Sequence, residues 1–213
     1  MGAIKFFDPV DTELLTHTII CNFQEEIGKN VEWSDDLMFI IQNFVKMVNG
    51  EVYECIDPGT RKPKKNKVVK GLFIAGGVGS GKTTLIKCLV KAMKDLRIAY
   101  KTTYEDTRYY FQNQMFAIPD LQKEWINSGS LPYEYSTIII DDCPQTNVEF
   151  KHMGNTTDLD NFIQYRYILN YTLTFFTSNY PISKLELDTR TISRLHEMCA
   201  YYELKNPDFR KKD

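Results

Sequence analysis

The chain has 213 residues, 43% of them hydrophobic and 25% charged, with a formal net charge of −2. That profile belongs to a soluble globular protein of one large domain with a small appendage, and the near-neutral balance argues against coating nucleic acid by charge alone. No run of about 18 apolar residues is present and residues 1–8 hold no signal-peptide core, so no membrane span and a cytoplasmic location are expected.

In chain order, Asp8 and Pro9 read as the N-cap and first turn of a helix along which Leu15, Ile19, Phe23 and Ile27 recur, with Gly28 as its stop. Ser34 caps a second helix, Asp35 and Asp36 suit its first turn, and Leu37, Ile40, Ile41, Phe44, Val45 and Val48 form its apolar face up to Gly50. These stripes are expected to pack as core against the main domain; a partner-binding face is the alternative. Residues 1–57 carry eleven acids and three lysines, whereas residues 61–70 hold six basic residues and no acid. The turn-rich stretch from Asp57 to Lys65 marks a boundary. The expected division is an N-terminal helical segment over 1–57, a basic linker over 58–67 and the main domain over 68–213.

Beyond the boundary the pattern alternates. Strands are expected at 68–75, 98–103, 137–140, 172–177 and 199–204, and helices at 82–94, near 105–115 and 119–126, at 159–169 and near 191–198. Residues 151–160 read as a polar loop. Five strands with intervening helices predict an α/β fold with a parallel sheet covered on both faces.

The sequence Gly76-Gly77-Val78-Gly79-Ser80-Gly81-Lys82-Thr83 fits G-x-x-x-x-G-K-[ST] without a mismatch, between a predicted strand and a predicted helix. Glycines let backbone N–H groups turn inward around phosphates, and the helix that follows offers its N-terminus to negative charge. Lys82 is expected on the β- and γ-phosphates of ATP, Thr83 on Mg²⁺, and Thr84 beside them in the nucleotide site. Thr137-Ile138-Ile139-Ile140-Asp141-Asp142 is a buried strand that delivers carboxylates to the same sheet edge. Asp141 is expected on Mg²⁺ and Asp142 as the general base for the attacking water. Asn179, at the end of the next strand, is placed to hold the lytic water or sense the γ-phosphate; an ordinary turn before Pro181 is the plain alternative.

Together these segments resemble one AAA+ branch, the bacterial DnaC/DnaI helicase loaders and the IstB transposition helpers. Arg166-Tyr167 through Thr177-Ser178-Asn179 is similar to the branch's "R-Y … T-S-N" stretch, and Arg190-Thr191-Ile192-Ser193-Arg194-Leu195 to its "R-I-x-S-R-L" box. The likeness covers residues 68–210. It implies a P-loop NTPase three-layer sandwich with a five-stranded parallel sheet, an AAA+ core without a C-terminal lid domain. It implies a sensor role for Asn179 and an arginine finger in the box. Arg194 is the first choice, Arg190 competes, and an ion pair of Arg194 with Glu197 or Asp188 is the plain alternative. Supplied from a neighbouring subunit, such a guanidinium contributes about 10³- to 10⁵-fold in analogous NTPases. Asp208-Phe209-Arg210 is similar to a terminal D-Y-R, with a sensor role for Arg210. Asp142 stands where many AAA+ proteins have Glu, although the branch itself often has Asp.

The resemblance implies slow, interface-dependent ATP hydrolysis in a homo-oligomer. The implied partner is a hexameric replicative helicase, then a transposase, with single- or double-stranded DNA nearby. A small-molecule P-loop kinase and an ATP switch without turnover are the competing readings. The basic run 61–70 is either a phosphate-contacting segment or a solvated linker. Tyr100, Tyr104, Tyr109, Tyr110 and Phe111 suit either base stacking or a core. Cys21, Cys55, Cys88, Cys143 and Cys199 lack CxxC spacing, and His17, His152 and His196 are isolated, so no metal cluster or disulfide framework is indicated.

Overall fold

The structure, a computed structural model, describes residues 5–6, 9–28, 31, 33–101, 109–110, 114–117, 137–152, 155–169, 173–206 and 208–209. Strand β1 (Lys5–Phe6) precedes helix α1 (Thr12–Ile27) and helix α2 (Asp35–Val48). Asp11, not Asp8, caps α1, its carboxylate accepting the Glu13 and Leu14 N–H groups at 2.9 and 3.0 Å. The Asp8-Pro9 signal falls short of the helix because the Val10 N–H is drawn instead to Asn49 Oδ1, 2.8 Å away beyond the end of α2. Ser34 caps α2 as expected, accepting the Leu37 N–H at 3.2 Å.

Strands β2 (Tyr53–Ile56) and β3 (Pro63–Asn66) form an antiparallel hairpin. Residues 58–67, expected as a linker, are therefore mostly a turn and an outer sheet strand. Asp57 builds the turn, its carboxylate accepting the Gly59 and Thr60 N–H groups at 3.1 and 2.8 Å. Half of the basic run is engaged within the chain: Arg61 pairs with Glu203, Lys64 lies 3.9 Å from Asp57, and Lys70 donates to the His196 carbonyl.

After the hairpin come β4 (Gly71–Gly76), α3 (Lys82–Asp95), β5 (Ala99–Lys101), β6 (Tyr109–Tyr110), β7 (Gln114–Ala117) and β8 (Ile138–Asp141). The chain continues through β9 (Glu149–His152), β10 (Asn155–Asp158), α4 (Leu159–Leu169), β11 (Thr174–Ser178), α5 (Thr189–Met198) and β12 (Cys199–Leu204). Residues 151–160, expected as a polar loop, hold most of the β9–β10 hairpin and the start of α4.

The main sheet has the order β3-β2-β12-β4-β11-β8-β7. Its last five strands are parallel, and the hairpin extends it antiparallel at one edge. The five parallel strands are present, but one comes from an unexpected segment. β5 pairs antiparallel with β1 and β6 in a separate small sheet, and β7, beside β8, supplies the fifth parallel strand in place of the strand expected at residues 98–103. β6 and the first two residues of β7 lie inside the stretch 105–115 expected as helix. The expected helix at 119–126 lies outside the described residues.

Side chains alternate across the parallel strands. Leu72, Ile74, Ile139, Phe175 and Tyr202 pack with α1, α2 and α3, while Phe73, Ile138, Ile140, Phe176 and Tyr201 pack with α4 and α5. Burial on both faces is why these strands read as unbroken apolar runs. The N-terminal helices share this core, with Leu15, Ile19, Phe23, Ile40 and Phe44 all buried. Tyr100 is also core rather than a stacking platform, fully buried with its hydroxyl 3.1 Å from Thr137 Oγ1. Among the described residues, no helix is long and apolar enough to cross a membrane.

Candidate nucleotide-binding site

β4 ends at Gly76, and a turn through Gly77, Val78, Gly79, Ser80 and Gly81 leads into α3 at Lys82. Gly79 and Gly81 have φ of 76° and 89°, a left-handed backbone that L side chains adopt only with strain. Lys82 is 5% exposed, and its ammonium donates to the Gly77 carbonyl at 2.8 Å and to Asn179 Oδ1 at 3.0 Å. Lys82 and Asn179 are 97 positions apart. They meet because β11, which carries Asn179 just past its end, hydrogen-bonds directly to β4.

A second set forms one strand further along. Thr83 Oγ1 donates to Asp141 Oδ1 at 2.6 Å, and Thr177 Oγ1 donates to the same oxygen at 2.7 Å. The Thr177 hydroxyl also accepts the Asp142 N–H at 2.9 Å. Thr177 thus fixes both acids at the end of β8, and sequence reading assigned it no role. Its signal is register: Phe176 stands opposite Ile140, so the next residue of β11 stands beside Asp141.

Asp142 adopts φ 49° in the turn that follows β8. Aspartate tolerates this backbone better than most residues, and the turn sends its exposed carboxylate toward solvent. That carboxylate has no hydrogen-bond partner among the described residues.

A cleft of about 360 Å³ gathers Val78, Gly79, Gly81, Lys82, Thr83, Thr84, Asp141, Asp142 and Asn179. Ile27, from the end of α1, and Lys87, one turn beyond Thr83, complete its wall and were not foreseen. Gly76, Gly77 and Ser80 belong to the loop without lining the cleft, and Ser80 is buried with its hydroxyl unpartnered among the described residues. The donor set suits a nucleoside triphosphate with magnesium. A buried ammonium and a left-handed loop at a helix N-terminus suit phosphate, and a hydroxyl beside a carboxylate is a hard-oxygen pair.

The arginines lie elsewhere. Arg194 stacks on Tyr167, its Cζ 4.2 Å from the ring centroid, and Nη1 lies 3.8 Å from Glu197, which also accepts the Tyr167 hydroxyl at 2.6 Å. Arg190, in the first turn of α5, is exposed and its guanidinium has no partner among the described residues. α5 runs into β12, whose first residue pairs with Gly71 at the far edge of the sheet. Just before α5, Glu186 bonds to Gln145, four residues past Asp141. Arg190 is therefore nearer the phosphate edge than Arg194. Arg210 lies outside the described residues.

No family model matches the chain, and no curated protein matches it. Among solved structures it is similar to the crystal structure of DnaI, with a TM-score of 0.54 at 19% identity over 94% of each chain. AMPPCP-bound DnaA from Aquifex aeolicus gives 0.43 at 18% identity, covering 66% of this chain and 42% of that one. Domain III of the Thermotoga maritima replication initiation protein DnaA gives 0.39 at 19% identity, covering 65% and 55%. The likeness to DnaI covers nearly the whole chain and shows the fold, an α/β sandwich whose sheet holds the five parallel strands that were expected.

Proposed function

We propose that this chain hydrolyses ATP as an AAA+ protein and acts on a DNA-associated partner, in the manner of the helicase loaders its motifs resemble. One observation carries the reading. At the ends of adjacent parallel strands, the loop lysine is bonded to Asn179 and the loop threonine to Asp141, with β11 lying between β4 and β8.

In this reading Lys82 exchanges its bonds to Gly77 and Asn179 for β- and γ-phosphate oxygens, while the N–H groups of the loop and Thr84 cradle the chain of phosphates. Thr83 and Asp141 would hold magnesium, whose charge offsets that of the phosphates. Asn179 orients the attacking water. The free carboxylate of Asp142 takes that water's proton as its oxygen bonds to the γ-phosphorus and the bond to the ADP oxygen breaks. A second copy of the chain supplies the arginine. Sequence favours Arg194, but Arg194 is held by Tyr167 and Glu197, whereas Arg190 is free and nearer the phosphate edge. Arg190 is therefore the better finger.

For the partner, a ring-shaped replicative helicase comes first and a transposase second. Lys62, Lys65 and Lys67, exposed on the β2–β3 hairpin, are the cations of the basic run left to meet DNA phosphates. The deciding experiment is ATP turnover per subunit across protein concentration, with and without single-stranded DNA, for wild type, Arg190→Ala and Arg194→Ala. Specific activity that climbs with concentration and collapses in one arginine variant supports a shared interface site. Turnover that is flat with concentration and indifferent to both arginines sinks it. Phosphate transfer to a small acceptor would point to a kinase, and binding without turnover to a switch.

A further inference from the structure

The chain that follows β12 crosses behind the phosphate loop. The Lys205 N–H donates to Asp36 Oδ2 at 3.2 Å, and the Ser34 hydroxyl donates to Asn206 Oδ1, so the segment leaves the sheet tied to the first turn of α2. It then reaches the loop, where the Phe209 N–H donates to the Gly79 carbonyl at 3.0 Å. A methyl group on Gly79 would lie 1.7 Å from Asp208 Oδ1, and one on Gly81 would lie 3.0 Å from Phe209 Cε2 and 3.3 Å from Phe23 Cζ. The Phe209 ring stands edge-on to Phe23 of α1, centroids 6.2 Å apart, and Phe23 packs in turn on Trp33 at 5.6 Å. Neither Asp208 nor Phe209 lines the cleft. Both press on the loop from its outer side.

These contacts fall on the two left-handed glycines, which have no side chains of their own to hold them. Their backbone must keep its N–H groups turned into the cleft for phosphate to bind. We infer that Phe209, with Asp208, is a positioning residue for the phosphate loop, and that the strap formed by residues 205, 206, 208 and 209 couples nucleotide occupancy to the placement of α1 and α2. The inference rests on the loop being an ATP site. Phosphate that draws the loop inward acts on the strap through the Gly79 carbonyl and the Phe209 ring, and the strap acts on Phe23, Ser34 and Asp36. Coupling of this kind is reciprocal: whatever nucleotide does to the helices, loosening the strap undoes in nucleotide affinity by the same factor.

The test uses the full chain with a fluorescent ATP analogue and magnesium. Titrations compare wild type, Phe209→Ala, Phe209→Tyr and Asn206→Ala, and hydrogen exchange is followed over residues 12–48 with and without nucleotide. Phe209→Ala is expected to weaken binding about tenfold and to raise the KM for ATP more than it lowers kcat, with Phe209→Tyr restoring both. Nucleotide should slow exchange in α1 and α2 of wild type, fail to do so in Phe209→Ala, and do so less in Asn206→Ala, which removes one of the strap's two ties to α2 away from the loop. Wild-type affinity in Phe209→Ala overturns the inference. So does nucleotide-dependent protection at the full wild-type level in Asn206→Ala, should Phe209→Ala fail to fold. If wild type binds no nucleotide, both this inference and the ATP reading fall; if wild type binds and only the variants are unaffected, this inference alone falls.

Discussion

The phosphate edge of the sheet and the α4–α5 face both carry charged side chains, but in opposite states. At the phosphate edge, hydrogen bonds of 2.6 to 3.0 Å join Lys82 to Asn179 and Thr83 and Thr177 to Asp141, tying the start of α3 to the ends of β8 and β11. At the α4–α5 face, the Arg194 side chain is 40% exposed and its ion pair spans 3.8 Å. Arg190 beside it is exposed, and its guanidinium has no partner among the described residues. The first set is organised within one chain, so its groups need little rearrangement to meet charge that develops in a reaction. The second set is held more loosely, Arg194 by one ring contact and a long ion pair and Arg190 by no side chain among the described residues. A loose cation of this kind gains an effect only when a second molecule presents a target.

The largest expected effect tests the loose side. Arg190→Ala should cut ATP turnover about 10³-fold or more at high protein concentration, because a guanidinium supplied between subunits contributes on that scale. Nucleotide affinity of the isolated chain should hardly change. Arg194→Ala should keep most turnover and lose about 1 kcal/mol or less of stability, since it gives up a cation–π contact and an exposed ion pair. Kinetics of the two variants side by side decide the matter, and a collapse in Arg194→Ala alone would reverse the assignment. Lys82→Ala tests the organised side, with an expected loss in turnover of about 10²- to 10³-fold. Its loss should be the same at every protein concentration, unlike that of Arg190→Ala.

Much of the organised side was legible in the sequence, and the reasons are physical. The phosphate loop needs left-handed backbone at set positions, so its glycines announce themselves. β12 and α4 could be bounded correctly because strands covered on both faces are unbroken apolar runs and α4 is closed by a polar start. The β2–β3 hairpin was not legible. All but one of the β3 side chains are exposed, so no alternation marks the strand, and Pro63-Lys64-Lys65 reads as a linker. β7 was hidden by an aromatic stretch that suits helix or strand alike, and only its pairing with β8 places it. Thr177 was invisible for a related reason, since its role depends on the register of β11 against β8. It supplies the next test. Thr177→Val keeps the shape but leaves the Asp142 N–H without its acceptor and removes one donor from Asp141. The expected cost is about 1–3 kcal/mol in denaturant unfolding, together with a higher magnesium requirement for turnover. Unchanged stability would mean that the organised set tolerates the loss of its bridging hydroxyl.

The smallest effect asks whether a third polar set, at the hairpin edge, behaves like the loose face. Glu203 of β12 accepts Arg61 Nε at 3.1 Å and the Tyr201 hydroxyl at 2.8 Å. Burial alone would push its carboxyl up, but the bonds from Arg61 and Tyr201 outweigh burial and leave it below the ordinary glutamate range. A carboxyl depressed in the folded state adds stability above its unfolded pKa, and that stability is lost as pH falls through the folded pKa. Arg61→Ala should therefore unfold more easily than wild type at neutral pH, with the gap closing as pH falls below the ordinary glutamate value of about 4.3. Thermal unfolding of both proteins across that interval reads the difference. The gap should be small, because Arg61 is mostly solvated and solvent screens its charge. A gap that persists unchanged into acid would trace the loss to the turn, where Arg61 holds φ 55°, rather than to its charge. The hairpin edge would then resemble the phosphate loop, where backbone conformation rather than charge pairing sets what each position tolerates.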